Sequence, residues 1–213
     1  MIKNERDQKV NTDMAFDLGK IEGHRPSLIG LKDTFAGAVC IPIIGEGSEA
    51  SVLFEIRTDR IKVQPSDICL PGGGIKSGES PIDAAKREIC EELLIDESQI
   101  DIKGITDIYH SDNIIIYPYV GYLKDYKGTF SRDEVAEVFT VPVRYFAETK
   151  PEEYKVRAIM SPDDDFPYER IYGGRNYKWR DRTVTQLFYK YGKYDIWGLT
   201  AKIIKAFADL IST

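Results

Sequence analysis

Cysteine and histidine are scarce in this chain of 213 residues, three of the first and two of the second. Cys40, Cys69 and Cys90 are odd in number, lie far apart and form no Cys-x-x-Cys pair. That pattern indicates neither a disulfide framework nor a structural zinc site, and reduced, partly buried thiols are expected instead. Long apolar runs are missing as well. Stretches such as Ala38 to Ile44 and Ile114 to Tyr117 fall far short of the roughly 20 residues that a spanning helix needs, so no membrane partner is expected. The opening MIKNERDQKVNTDMAFDLGK is strongly charged with no apolar h-region, which is wrong for a secretory signal and points to a cytoplasmic protein. There is no basic excess either, since 29 Lys and Arg face 35 Asp and Glu for a net charge of -6. A general nucleic-acid partner is therefore excluded, because binding a phosphate polymer needs a cationic field. A small phosphorylated substrate is not excluded, since a divalent cation and a few local basic groups can reverse the field inside one cleft.

What is present fits a soluble globular chain, 42% apolar and 30% charged. The length suits one large domain rather than two. Residues 1–34 are polar and weakly patterned and read as an N-terminal extension with one short helix, followed by a single domain over 35–213. AGAVCIPII and SVLFEIR, separated by Gly45-Glu46-Gly47-Ser48, predict a β-hairpin. A turn-rich loop follows over Thr58 to Ser80. In Pro81 to Leu94 the residues Ile82, Ala85, Ile89 and Leu93 recur at helical spacing, with Ser80 as N-cap and Pro81 at the first helical position. Strands are predicted over Ile100 to Tyr109, Ile114 to Tyr122, Val138 to Val143, Tyr154 to Met160 and Thr183 to Tyr189. A closing helix over Thr200 to Ile211 has its apolar face on Ala201, Ile204, Ala208 and Ile211. Many strands and few helices without regular alternation imply an α+β or mixed α/β sandwich.

The chemistry concentrates in PGGGIKSGESPIDAAKREICEELLI, Pro71 to Ile95. Gly73, Gly78 and Ser80 fit a phosphate-binding G-x-x-x-x-G-K-[ST] loop except at Glu79, where a carboxylate would repel the phosphates that a lysine attracts, so that reading is rejected. The helix offers more. Glu88, Glu91 and Glu92 stand at i, i+3 and i+4 and share an arc of roughly 100° on one side. Like charges at this spacing, in the C-terminal half where the helix dipole also disfavours anions, are destabilising. Two explanations remain on spacing alone: a solvated acidic face, or a seat for a hard divalent cation such as Mg²⁺ or Mn²⁺.

The preceding loop separates them. Gly73, five residues, Glu79, seven residues, then Arg87-Glu88-Ile89-Cys90-Glu91-Glu92-Leu93-Leu94-Ile95 resembles the Nudix box, G-x5-E-x7-R-E-U-x-E-E-x-G-U, where U is aliphatic. Every defined place matches except that Leu94 stands where glycine is usual, which bears on how the helix ends and not on a reacting atom. The resemblance implies a Nudix-type α/β/α sandwich with a mixed β-sheet and a catalytic loop-helix. It implies Glu88 and Glu92 as principal metal ligands, Glu91 as a further or water-mediated one, an Arg87–Glu79 ion pair tying loop to helix, and a carbonyl of Gly72 or Gly73 as another oxygen. The implied reaction is metal-assisted hydrolysis of a nucleoside diphosphate linked to another group. For the general base, Glu134 and then Glu137 in SRDEVAEVFTV are the candidates, since they precede a strand that can carry them toward the helix; an acidic turn ahead of an edge strand is the competing explanation. His110, the lone histidine near the strands, reads as a surface residue.

Upstream, LFEIRTDRIKVQPSDICLPGG is similar to the coenzyme A pyrophosphatase signature LLTxR[SA]x3Rx3Gx3FPGG. Leu53, Arg57, Pro71, Gly72 and Gly73 match. Phe54 stands for Leu, Glu55 for Thr, Thr58 for Ser, Lys62 for Arg, Ser66 for Gly and Leu70 for Phe. Arg57 and Lys62 suit charge-assisted contacts to a 3′-phosphate, although both also read as solvated residues at a strand end. DEVAEVFTVPV and YDIWGLTAKIIKAF extend the likeness over most of the chain from about Ala36. The expected activity is hydrolysis of coenzyme A or its derivatives to 4′-phosphopantetheine and 3′,5′-ADP. The alternatives are another nucleoside diphosphate derivative such as ADP-ribose, or a non-catalytic nucleotide-binding module. The expected partner is a small-molecule nucleotide, and a homodimer is compatible with the chain.

Overall fold

The structure, a computed structural model, describes residues 22–25, 29–30, 33–60, 64–111 and 113–212. The short helix expected in the N-terminal extension lies outside these. The chain divides into two compact units, Met1–Asp33 and Thr34–Thr213, and the elements below all belong to the second. Among the described residues no helix is long and apolar enough to cross a membrane.

The chain runs through β1 (Phe35–Ile44), β2 (Ser51–Arg57), β3 (Ile68–Cys69) and β4 (Gly72–Gly74) into α1 (Pro81–Leu93). Then come β5 (Ile100–Ile105), β6 (Tyr109–Ser111), β7 (Ile114–Leu123), β8 (Val135–Pro142) and α2 (Val143–Glu148). It ends with β9 (Glu152–Ala158), β10 (Arg182–Tyr191), β11 (Tyr194–Trp197) and α3 (Gly198–Ile211). Among the described residues one sheet has eight strands, with the path β3-β2-β1-β7-β5 and with β4 on β1, β6 on β7 and β8 on β2. β1 and β7 are parallel while the other ladders are antiparallel, so the sheet is mixed. β9, β10 and β11 form a smaller antiparallel sheet.

Alternation along the central strands distributes side chains to two apolar layers. Cys40 and Leu53 pack with Ile89 and Leu93 of α1 on one face, while Ile41, Ile43, Val52 and Phe54 pack with Ile204 and Phe207 of α3 and with Tyr189 and Ile196 on the other. Both faces are covered, which is why β2 reads Val52-Leu53-Phe54 without a polar break. Each fully buried Ile or Leu contributes about 1.5–3 kcal/mol of transfer free energy, so α1 is anchored through Ile89 and Leu93 far more firmly than its length would hold it.

The expected hairpin is only partly closed. β1 and β2 pair at Ile43↔Val52 and Ile44↔Ser51, and then part because β4 takes the same edge of β1 at Gly37, Ala38 and Val39. The loop expected over Thr58 to Ser80 therefore contains two short strands. Only glycine fits that approach at Gly72, where an added Cβ would sit 2.5 Å from the Ala38 carbonyl oxygen. α2 and β11 have no counterpart among the expected elements. α2 begins where a strand is expected to continue, and Phe146 secures it by packing with Phe54 and edge-on to Tyr189, contacts that come from distant strands.

Candidate metal and phosphate site

α1 starts as its sequence dictates. Ser80 is extended and its hydroxyl accepts from the Asp83 amide at 3.3 Å, with Pro81 in the first turn. The helix ends at Leu94 in the left-handed conformation, φ 51° and ψ 53°, and the Ile95 amide reaches back to the Cys90 carbonyl at 3.3 Å. The chain reverses as it would with glycine, with leucine bearing the steric cost.

The buried stripe of α1 includes Ala84, Ala85, Ile89, Leu93 and, against ordinary patterning, Glu92 at 3% exposure. Its Oε2 accepts from the Gly72 backbone N–H at 2.8 Å. Glu88 lies over the next residue of β4, so closely that a Cβ on Gly73 would stand 2.5 Å from its Oε1. The bare Gly73 thus makes room for Glu88, while the Gly72 amide holds Glu92. Glu91 is exposed.

Arg87 organises the loop. Its Nε and Nη2 donate to the two oxygens of Glu79 at 2.8 and 3.0 Å, Nη2 also donates to the Gly74 carbonyl at 3.1 Å, and Nη1 donates to Glu88 at 2.6 Å and Glu91 at 3.3 Å. Hydrogen bonds from Arg87, then one from the Lys76 backbone N–H, hold the Glu79 carboxyl down at about 2. The planar guanidinium suits this bidentate seat.

A carboxylate not assigned to the site from sequence joins the group. Glu55, in the middle of β2, is 1% exposed and alternates with Leu53 on the α1-facing side of the sheet. Its Oε1 accepts from the Cys69 thiol at 3.3 Å, and its Oε2 has no hydrogen-bond partner. The available signal is a glutamate inside an otherwise apolar run at a core-facing position. Burial first, and then the charge of Glu55 and those of Glu88 and Glu134, pushes the Glu92 carboxyl well above the usual range against the Gly72 hydrogen bond. Burial likewise raises Glu55, opposed by the Cys69 hydrogen bond and Arg57. Like charges crowded in a dry site are costly unless a cation compensates them.

Glu134 sits in the turn entering β8. The Ser131 amide donates to the Glu92 carbonyl at 2.8 Å and the Thr58 amide to the Glu134 carbonyl at 2.9 Å, so this turn is sewn to the end of α1 and the end of β2. The Glu134 charge acts on both Glu55 and Glu92. Glu137 faces elsewhere, accepting from Lys193 at 3.0 and 3.2 Å and from the Tyr194 hydroxyl at 2.6 Å. His110 is exposed on β6. Lys62 lies outside the described residues.

Arg57 lines a cavity of about 510 Å³ that abuts the glycine strand, together with Cys69, Gly72, Gln186, Trp197 and Lys202. Its Nε and the Gln186 Oε1 are buried without hydrogen-bond partners. In chemistry the carboxylate group suits Mg²⁺ or Mn²⁺, being all oxygen and anionic. Among the described residues no three acidic, histidine or cysteine side chains already converge as ligands: Glu88 is turned to Arg87 and Glu92 to the Gly72 amide.

A family model described as NUDIX domain matches residues 34–161. The chain is 31% identical over 136 residues to the peroxisomal coenzyme A diphosphatase NUDT7 of Mus musculus, covering 61% of this chain and 55% of that protein. It is 30% identical over 125 residues to Nudix hydrolase 3 of Caenorhabditis elegans, covering 55% of this chain and 52% of that protein. The chain spans about half the length of these two curated relatives. Among solved structures, a MutT/nudix family protein from Enterococcus faecalis aligns over 93% of this chain and 71% of that chain at 14% identity and a TM-score of 0.48.

Proposed function

The chain belongs to the Nudix family, and from that premise we propose that it hydrolyses the pyrophosphate bond of coenzyme A or its derivatives with Mg²⁺ or Mn²⁺, releasing 4′-phosphopantetheine and 3′,5′-ADP. The observation that carries the reading is the seating of Glu92 and Glu88 on the glycine strand, Glu92 on the Gly72 amide at 2.8 Å and Glu88 directly over Gly73.

Glu88 and Glu92 would hold the metal, with Glu91 and the Gly73 carbonyl as further oxygens. When bound, the metal supplies a Lewis acid that draws charge from the pyrophosphate oxygens and favours ionisation of water. Arg87, fastened to Glu79 and the Gly74 carbonyl, positions the Glu88-bearing turn of α1 against the loop. Glu134 takes a proton from the attacking water while a new oxygen–phosphorus bond forms and the bridging phosphorus–oxygen bond breaks, leaving two phosphate monoesters. Arg57, which lines the cavity beside the glycine strand, supplies a cationic contact to the anionic substrate.

The likeness to the mouse coenzyme A diphosphatase and the match of Leu53, Arg57 and Pro71-Gly72-Gly73 to the signature support coenzyme A as the substrate. The six substituted signature positions support a second reading, a different nucleoside diphosphate derivative such as ADP-ribose. A product assay with coenzyme A, dephospho-coenzyme A, acyl thioesters, ADP-ribose and nucleoside triphosphates tests both. Turnover of coenzyme A at least 10-fold faster than of the dephospho form is expected, equal rates would move the assignment to the second reading, and turnover of none would overturn the hydrolase.

A further inference from the structure

Glu55 is a carboxyl buried in the sheet with one weak hydrogen bond and one oxygen left unmatched. β2 alternates faces, so Leu53 and Glu55 project to the same side, and Leu53 packs in the cluster that contains Ile89 and Leu93 of α1. Glu55 therefore looks toward the catalytic helix from the sheet. It is 1% exposed. One oxygen accepts from the Cys69 thiol at 3.3 Å, a weak donor, and the other has no partner. The charges acting on it are Arg57 in its favour and Glu134 and Glu88 against, while its own charge acts on Glu92. A purely structural carboxyl in a core would be matched to strong donors, because an unmatched one costs far more than the apolar side chain it replaces. The surroundings of Glu55 instead supply further carboxylates, which is the environment of a cation ligand.

We propose that Glu55 is a further oxygen ligand of the divalent-metal centre, contributed by the sheet opposite Glu88 and Glu92. The inference rests on the metal reading of those two residues. One oxygen of Glu88 is held by Arg87 and one of Glu92 by the Gly72 amide, whereas the free oxygen of Glu55 has no bond to give up. Cys69 orients the carboxyl through its other oxygen, in the manner of the hydrogen bonds that commonly orient metal ligands.

The test is a Mn²⁺ titration of the full chain without substrate, reading free Mn²⁺ by electron paramagnetic resonance, beside thermal melting of the metal-free protein. Glu55→Gln keeps shape and removes charge. At least a fivefold weaker Mn²⁺ affinity is expected, together with a metal-free melting temperature equal to or above that of the wild type, because a buried carboxyl with one unmatched oxygen has been replaced by a neutral amide. A smaller loss of affinity overturns the proposal, as does a lower metal-free melting temperature, which would make Glu55 structural. If Glu55→Gln does not fold, Glu55→Thr, whose β-branched side chain suits a strand, is measured the same way, and failure of both to fold also overturns it. Absence of Mn²⁺ binding by the wild type would instead remove the metal reading itself, so the two failures are distinct.

Discussion

The Gly72 backbone N–H donates to Glu92 Oε2 at 2.8 Å across twenty positions of sequence. This bond ties the glycine strand to the most deeply buried carboxylate of α1. An amide donor also stabilises the ionised form, so the bond opposes the burial that raises Glu92 and keeps the side chain aimed at the glycine strand.

Glu92→Gln preserves the size of the side chain and an oxygen for Gly72 while removing the charge. The expected result is a fall in kcat/KM of at least about 100-fold, since even residues that only support metal ligands are worth 10–100-fold. The metal-free melting temperature should hold or rise. Wild-type rates would refute the metal assignment.

Glu134→Gln and Glu137→Gln form a matched pair. Loss of a general base costs about 10²–10⁴ in rate, and that loss is expected in kcat for Glu134→Gln. Glu137→Gln, which breaks only the contacts to Lys193 and Tyr194, should stay close to the wild-type rate. Steady-state kinetics of the two variants at saturating Mg²⁺ decides the assignment.

Arg87→Lys replaces a fork that serves Glu79, Gly74 and Glu88 with a single point charge. Misplacing a catalytic group by an ångström can cost about 100-fold, so kcat/KM should fall by about 10- to 100-fold. Unchanged kinetics would show that the loop is positioned by other means.

Stability toward acid follows from Glu79. Its folded pKa is lowered to about 2 by Arg87, below the ordinary carboxylate value of about 4.3. The contribution is therefore present above the unfolded pKa and is lost as pH falls toward 2. Urea denaturation from pH 6 to pH 2.5 should show a shallower acid loss in Glu79→Gln than in the wild type, and parallel curves would contradict the ion pair.

Leu94→Gly removes a side chain from a left-handed residue that is 59% exposed. Relief of the Cβ clash outweighs the extra unfolded-state entropy, and a gain of about 0.5–1 kcal/mol is expected by chemical denaturation with activity unchanged. A loss of stability would mean that the Leu94 side chain holds contacts its exposure does not suggest.

Much of this is legible in the order of residues alone. The α1 boundaries, the Ser80 cap and the acidic face follow from signals confined to one helical turn or one heptad, where spacing translates directly into geometry. Leu94 stands out in the same way as the place where the helix end departs from the usual pattern, although a leucine cannot announce a left-handed conformation. The partial opening of the β1–β2 hairpin is not legible, because the competitor for the edge of β1 is Gly72-Gly73-Gly74, and glycines carry no strand pattern. α2 escapes a reading by periodicity because a helix of six residues has little stability of its own and depends on Phe146 meeting Phe54 and Tyr189.

By itself the sequence determined the loop-helix and its carboxylate spacing, since both depend on residues within one continuous segment. Only the tertiary structure decided which other acids face that segment. It turned Glu55 inward from a strand and tied the Glu134 turn to the ends of α1 and β2 while binding Glu137 to Lys193 and Tyr194. Those choices depend on strand pairing and on which face each residue takes, and both are set by partners far away in the chain.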